Sequence, residues 1–367
     1  MGIAELVERS GTLKRELLIF ATDPRFEQAL RQQLRRRFGA LMTSEAEELD
    51  NFFDWFVQQY RLPDGRTVID CFLEERTDLS QPEREFLLGW HDVVQGHFEV
   101  IGHEGPVLLA VNLIDELEYR IRANVRLEVF DQAPAGSFVI TRVVPVHDEW
   151  LVSGVSAMLP ADDREELLKI AADTAMRHPT QVYRNPHRLA RAWEIQQTQR
   201  TAFVEHFGAD TVVLEVTELR ARMREYGGSP VTDDWVSAMF DQLPPRAVTI
   251  GLIYDEEDGL GAFADYRMAE EVFANPHLIR ERKYRRLIKK YLTDDSVTPV
   301  PLVRLAERDH DKADQVFGWL THRPGFSWAA DGEALLRHHK PWWYKGPRLP
   351  RTVVFSERLA PYVTSPR

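Results

Sequence analysis

Cysteine is almost absent: Cys71 is the single one in 367 residues. That excludes an intramolecular disulfide framework and any multi-thiolate zinc or iron–sulfur site. No apolar run approaches the roughly 18 residues that span a bilayer. Met1 to Lys14 carries charges throughout and has no hydrophobic stretch before a small-residue cleavage site. The expectation is a cytoplasmic protein with no membrane partner and no secretory signal. No period of 20–50 residues recurs, which excludes solenoids and propellers. Gly-x-Ser-x-Gly, the phosphate loop and His-Glu-x-x-His are all missing, so no catalytic residue, no metal ligand and no cofactor is expected. Lysine is scarce too, at 8 of the 46 cations.

What is present is an uneven charge. Residues 1–96 carry 12 Lys/Arg against 18 Asp/Glu, residues 97–275 carry 16 against 30, and residues 276–367 carry 18 against 10. The chain is an acidic body with a basic end, and a local field of that kind attracts polyanions. The competing reading is a basic end that docks on the acidic body or on an acidic partner.

The pattern along the chain predicts an α+β multidomain protein: a helical bundle, a small central β-barrel-like module, a small α/β unit and a C-terminal trihelical, winged-helix-like domain. Residues 1–96 form the bundle. Asp23-Pro24 opens an apolar stripe at Phe26, Leu30, Leu34 and Phe38, with helical spacing and a good N-cap. Thr43-Ser44-Glu45 opens a second helix with Phe52, Phe53, Phe56 and Val57 as its core face, and the Pro63-Asp64-Gly65 turn ends the pattern. Residues 97–160 are β-rich: Phe98–Ile101, Val107–Asn112, Tyr119–Val129, Phe138–Val146 and Trp150–Ser156 are short strands between Gly, Pro and Asp turns, as in a small barrel. Residues 161–274 read as a helical linker and a unit of order βααββ. It includes a helix stopped by Gly227-Gly228, a helix begun at Thr232/Asp233, and paired strands around Asp255–Gly259.

Residues 275–367 are the basic domain. Asn275-Pro276 opens a helix through Leu292, followed by helices at Leu302–Arg308, Asp311–His322 and, shorter, Glu333–His338, with a strand at Thr352–Phe355. The first helix carries seven cations in eleven residues: Arg280, Arg282, Lys283, Arg285, Arg286, Lys289 and Lys290. Phosphate recognition needs cations on one continuous surface, with guanidinium favoured for bidentate contacts. A solvated helix face is the bland alternative. Farther on, Lys340, Trp342, Trp343 and Lys345 mix cations with aromatics, a composition suited to stacking on bases. The alternative there is that the tryptophans anchor the tail. Asp309, Asp311 and Asp314 at the start of the third helix oppose a base-reading role, so a backbone contact is expected. A metal-dependent phosphoryl hydrolase or nuclease, with carboxylates around 255–271 such as Asp265, Glu270 and Glu271, is the alternative function. A protein-binding scaffold is the third.

The run Phe52-Phe53-Asp54-Trp55-Phe56, then Tyr60 to Thr67 and Phe72-Leu73-Glu74, resembles the helical region of bacterial proteins that carry a SEC-C zinc motif, over residues 43–156. The resemblance implies an architecture and no reaction, and the cysteine cluster of that motif is missing here. Taken together, the sequence predicts a non-catalytic adaptor or accessory subunit. It would contact nucleic acid or a ribonucleoprotein through the basic helix, with the acidic body facing a protein partner.

Overall fold

The computed structural model describes residues 1–39, 46–123, 133–228, 233–244 and 247–363. The chain forms two compact units: Met1–Asn185 with the end of the chain from Phe355, and Pro186–Val354. Thr43, Ser44, Glu45 and Thr232, read above as helix openers, lie outside the described residues, as does the second half of the expected strand 119–129.

The first unit begins with α1 (Ile3–Phe20), α2 (Pro24–Phe38), α3 (Ala46–Gln58), α4 (Val68–Glu75) and α5 (Gln81–Gly89). Asp23 accepts the backbone N–H of Arg25 to start α2, and Thr67 and Asp70 form a reciprocal capping box on α4. Phe26, Phe52, Phe56 and Phe72 are buried together with Leu13, Leu17 and Leu87. The aromatic stripe is therefore core, as expected from the area such rings bury.

The barrel follows: β1 (Val94–Glu104), β2 (Val107–Asn112), β3 (Glu118–Arg122), β4 (Phe138–Val146) and β5 (Glu149–Val152), with β6 (Ala157–Leu159) added on β4. Strand order is β1-β2-β3-β5-β4, and β4 pairs back onto β1 to close the ring. All pairs are antiparallel except β3 with β5. This is the connectivity of the five-stranded Greek-key barrels of the oligonucleotide- and oligosaccharide-binding type, and a fold alone assigns no ligand. β1 has 11 residues where four, Phe98–Ile101, were expected: its first half pairs with β4 and its second half with β2, with a register shift between Val100 and Gly102. At Gly96 a side chain would meet Phe98 at 2.7 Å, so the tight curl of β1 needs glycine there.

Phe98, Val100, Tyr119, Ile121, Val139 and Val143 fill the barrel. Val144, Val146 and Leu151 turn outward and join the core of the helices, so the barrel has its own interior but one outer face packed on residues 1–96. α6 (Arg164–Arg177) and the short α7 (Pro179–Val182) complete this unit. Its acidic side chains are extensively paired. Arg164 and Arg358 both bind Glu99, and Arg122 binds Glu149.

The second unit holds α8 (Pro186–Phe207), β7 (Thr211–Glu215), α9 (Val216–Tyr226), α10 (Asp233–Gln242), β8 (Thr249–Asp255) and β9 (Gly259–Ala264), then α11 (Tyr266–Ala274), α12 (Arg282–Thr293), α13 (Val300–Glu307), α14 (His310–Leu320) and α15 (Trp328–His339). The βααββ order is as predicted, and Gly227 ends α9 in the left-handed region. The three strands form an antiparallel sheet, β7-β8-β9. Phe203, Leu219, Met223, Leu252 and Tyr254 form the core under α8–α10, while Ile253 and Phe263 join the larger core of α11–α15.

The basic C-terminal segment departs from a winged-helix arrangement. All four expected helices are present, the last beginning at Trp328 instead of near Glu333 and as long as the first, and Thr352–Phe355 does not form the expected strand. The core of these helices also runs on into α11 and the sheet, so residues 275–354 do not stand apart from what precedes them. Among the described residues no helix is long and apolar enough to cross a membrane.

Candidate functional site

The predicted basic helix is real but shorter than expected. Asn275-Pro276 opens a 3-10 turn, Pro276–Arg280, and α12 starts only after Glu281, whose backbone is extended. Tyr284, Ile288, Tyr291 and Leu292 form the buried face of α12. Two hydroxyls pin it: Tyr284 donates to Glu271 at 2.7 Å, and Tyr291 to the carbonyl of Ala264 at 2.6 Å. Burial raises the Tyr291 hydroxyl far above its ordinary pKa, so it stays a donor.

This anchoring divides the seven cations. Arg282, Lys283, Arg286 and Lys290 line a groove of about 1300 Å³, with Leu287 between them. Its opposite wall is Ala238, Met239 and Leu243 of α10 and its end, and its floor is Ala262 and Ala264 of β9 with Met268 of α11. Arg280, Arg285 and Lys289 lie off the groove. The Arg285 guanidinium sits 5.4 Å from the centre of the Trp319 ring and donates to the carbonyl of Arg280. Among the described residues, Arg282, Arg286, Lys289 and Lys290 make no ion pair. Arginines elsewhere in this unit behave differently: Arg200 and Arg304 bind Asp210, Arg267 binds Glu215, Arg308 binds Glu270 and Arg351 binds Asp258.

The second predicted cluster is taken up by the fold. Lys340 is fully buried, and its ammonium donates to the carbonyls of Asp294 and Val297, so it is not free for phosphate. Trp343 already carries a cation, with the Arg348 guanidinium 3.7 Å above its ring. Trp342 donates to Asp295 at 3.1 Å and keeps one side exposed. Lys345 is exposed and lines no part of the groove. Trp343 packs against the core of the C-terminal helices, whereas Trp342 does not.

The carboxylates of the hydrolase alternative are also engaged. Asp255 binds Arg304 at 3.2 Å, Glu270 binds Arg308 at 2.8 Å, Glu271 accepts from Tyr284, and Asp265 accepts the backbone N–H of Val248 at 3.0 Å. Asp255 also accepts the N–H groups of Glu257 and Asp258, and Gly259 has φ +69°, which makes 255–259 a hairpin turn. Among the described residues no three His, Cys, Asp or Glu side chains come together as a metal site. Cys71 is core, with its thiol pushed up by burial.

The groove's apolar half was missed by pattern reading. Met239, Leu243, Ala262 and Met268 come from three elements, and only the run of small residues Gly259, Gly261, Ala262 and Ala264 hints that β9 leaves room above it.

A family of unknown function, DUF7986, matches residues 25–201. That span contains residues 43–156, includes the barrel, and ends before α12. No curated protein and no solved structure matches the chain.

Proposed function

We propose that this protein is a non-catalytic adaptor that binds the sugar–phosphate backbone of single-stranded nucleic acid along the α12 groove, in the cytoplasm. The observation that carries the reading is the row Arg282, Arg286 and Lys290, left without ion pairs on the wall of one groove. Positions four apart on a helix repeat at about 6 Å along its axis, a spacing that suits successive phosphates of an extended strand. Guanidinium groups add bidentate contacts. Phe263 and Tyr291 are buried beneath the groove, so the bases meet aliphatic side chains rather than an aromatic platform, and affinity rests on charge with little sequence preference.

A second reading has its own support. The aliphatic surface of Met239, Leu243, Met268 and Leu287 is adaptable and suits the apolar face of an acidic amphipathic peptide. Titration of labelled single-stranded DNA, duplex DNA and structured RNA against salt tests the first reading. Loss of log affinity with log salt, with a slope that becomes shallower by about 2 on removing three groove cations, is the expected result. No binding to any of the three at low salt, with an acidic amphipathic peptide bound instead, favours the second.

A further inference from the structure

A second pocket lies wholly within the first unit, and its chemistry is different. It has a volume of about 720 Å³, within the size range of small-molecule sites. Its walls come from the end of α2, the end of α3, the segment from His91 into β1, strand β4, and α6–α7. All of these residues lie within 25–201, the span matched by the family.

Arg142 on β4 is the central residue. It is 6 % exposed, and its neighbours are neutral amides. It donates to Gln59 at 2.8 Å, and at longer range to Gln95 and Gln58. Among the described residues no carboxylate is hydrogen-bonded to it. Asp54 acts on it only from a distance and is itself bound by Lys14 at 2.8 Å. Arg37, which also lines the pocket, adds a second positive charge close enough to repel it and has no ion pair among the described residues. The remaining charged walls hold two cations against three carboxylates: Arg184 pairs with Asp92 and Arg177 with Asp173, which leaves Asp115, so the lining as a whole keeps one net positive charge. Asp115 accepts from Tyr119 and from the N–H of Leu117.

A buried guanidinium without a counter-charge is costly, because desolvation is not repaid. Native proteins satisfy nearly all buried polar atoms. Yet among the described residues this pocket gathers four buried side-chain polar atoms with no hydrogen-bond partner: His97 Nδ1, Arg142 Nε, Gln181 Oε1 and Arg184 Nε. The pocket thus collects both uncompensated positive charge and unused hydrogen-bonding capacity. Half-buried Trp55 adds a flat wall.

We propose that this pocket binds a phosphorylated metabolite of nucleotide size, with its phosphate between Arg142 and Arg37 and its ring against Trp55. The phosphate supplies the counter-charge that the fold withholds, and the amides of Gln59, Gln95 and Gln181 serve the polar edge of the ring. The site is independent of the α12 groove.

The test uses the full chain, with inorganic phosphate, AMP, UMP and citrate at millimolar concentration, read by thermal unfolding and by calorimetric titration. AMP or UMP should raise the melting temperature and bind more tightly than inorganic phosphate. Arg37→Ala, at an exposed position where folding is not at stake, should weaken binding about tenfold, the scale of one charged contact. Arg142→Met should abolish the ligand-induced shift while the unliganded protein still folds. Arg282→Ala with Arg286→Ala should leave the shift unchanged, which separates this pocket from the groove. The proposal is overturned if no probe raises the melting temperature, if Arg37→Ala responds as the wild type does, or if citrate binds more tightly than either nucleotide.

Discussion

The ammonium of Lys340 is buried against the chain just beyond α12, donating at 2.8 Å to the carbonyl oxygen of Asp294 and at 2.6 Å to that of Val297. A residue that looks like part of a basic surface strip is instead the cap that ties the end of α15 to the end of the basic helix. Replacing it by methionine keeps the stem but leaves both carbonyls without that donor. Lys340→Met should lower stability by about 1–3 kcal/mol, measured by urea unfolding, and should leave the salt dependence of any polyanion binding unchanged. An altered salt slope would return Lys340 to the binding surface.

The division of the seven cations makes a paired prediction. Arg282→Ala, Arg286→Ala and Lys290→Ala together should make the slope of log affinity against log salt shallower by about 2. The matched triple at Arg280, Arg285 and Lys289, off the groove, should change it by much less. Equal effects of the two triples would mean that the helix acts as a diffuse positive rod.

Glu99 gives a pH dependence. Burial opposes ionisation, but hydrogen bonds from Arg164 and Arg358 outweigh it and hold the carboxyl below its ordinary pKa. A carboxyl with a depressed folded-state pKa contributes stability above its unfolded value, and that contribution is lost as pH falls through the folded value. Wild type should therefore exceed Glu99→Gln in stability by about 1 kcal/mol at neutral pH. The gap should close below about pH 4, near the unfolded carboxyl range. Melting curves across that range check it, and a gap independent of pH would show that Glu99 acts through packing alone.

Gly251 lies in the middle of β8, where an added Cβ would come within 2.4 Å of Tyr266 Cγ. The first turn of α11 can lie flat on the sheet only because this position has no side chain. Gly251→Ala should cost about 1–3 kcal/mol as overpacking, and a near-neutral result in denaturant unfolding would show that α11 shifts freely.

Cys71 is 5 % exposed with its thiol raised by burial. Thiol reagents should label the native protein slowly and the urea-unfolded protein at once. Rapid native labelling would contradict the placement of Cys71 in the helical core.

Local sequence pattern alone specified much of this protein. The stripe of Phe52 and Phe56, the cap at Asp23, the turn at Asp255–Gly259, the stop at Gly227 and the cation-rich helix are all decided by near neighbours in the chain, and the structure keeps them. Tertiary pairing decided the rest. β1 was read short because Gln95, Gly96 and His97 have little strand propensity, and only pairing with β4 makes them a strand. The wing was expected from a few β-branched residues, but no edge of the sheet receives them. Which four of seven cations meet the groove depends on Tyr284 and Tyr291 fixing the rotation of α12 through Glu271 and Ala264. Arg142 reads as an ordinary strand residue until residues some 80 positions earlier, Gln58 and Gln59, close over it without a carboxylate. Periodicity encodes which side of an element is apolar, whereas the counter-charge of a buried group depends on partners that only the folded chain brings within reach.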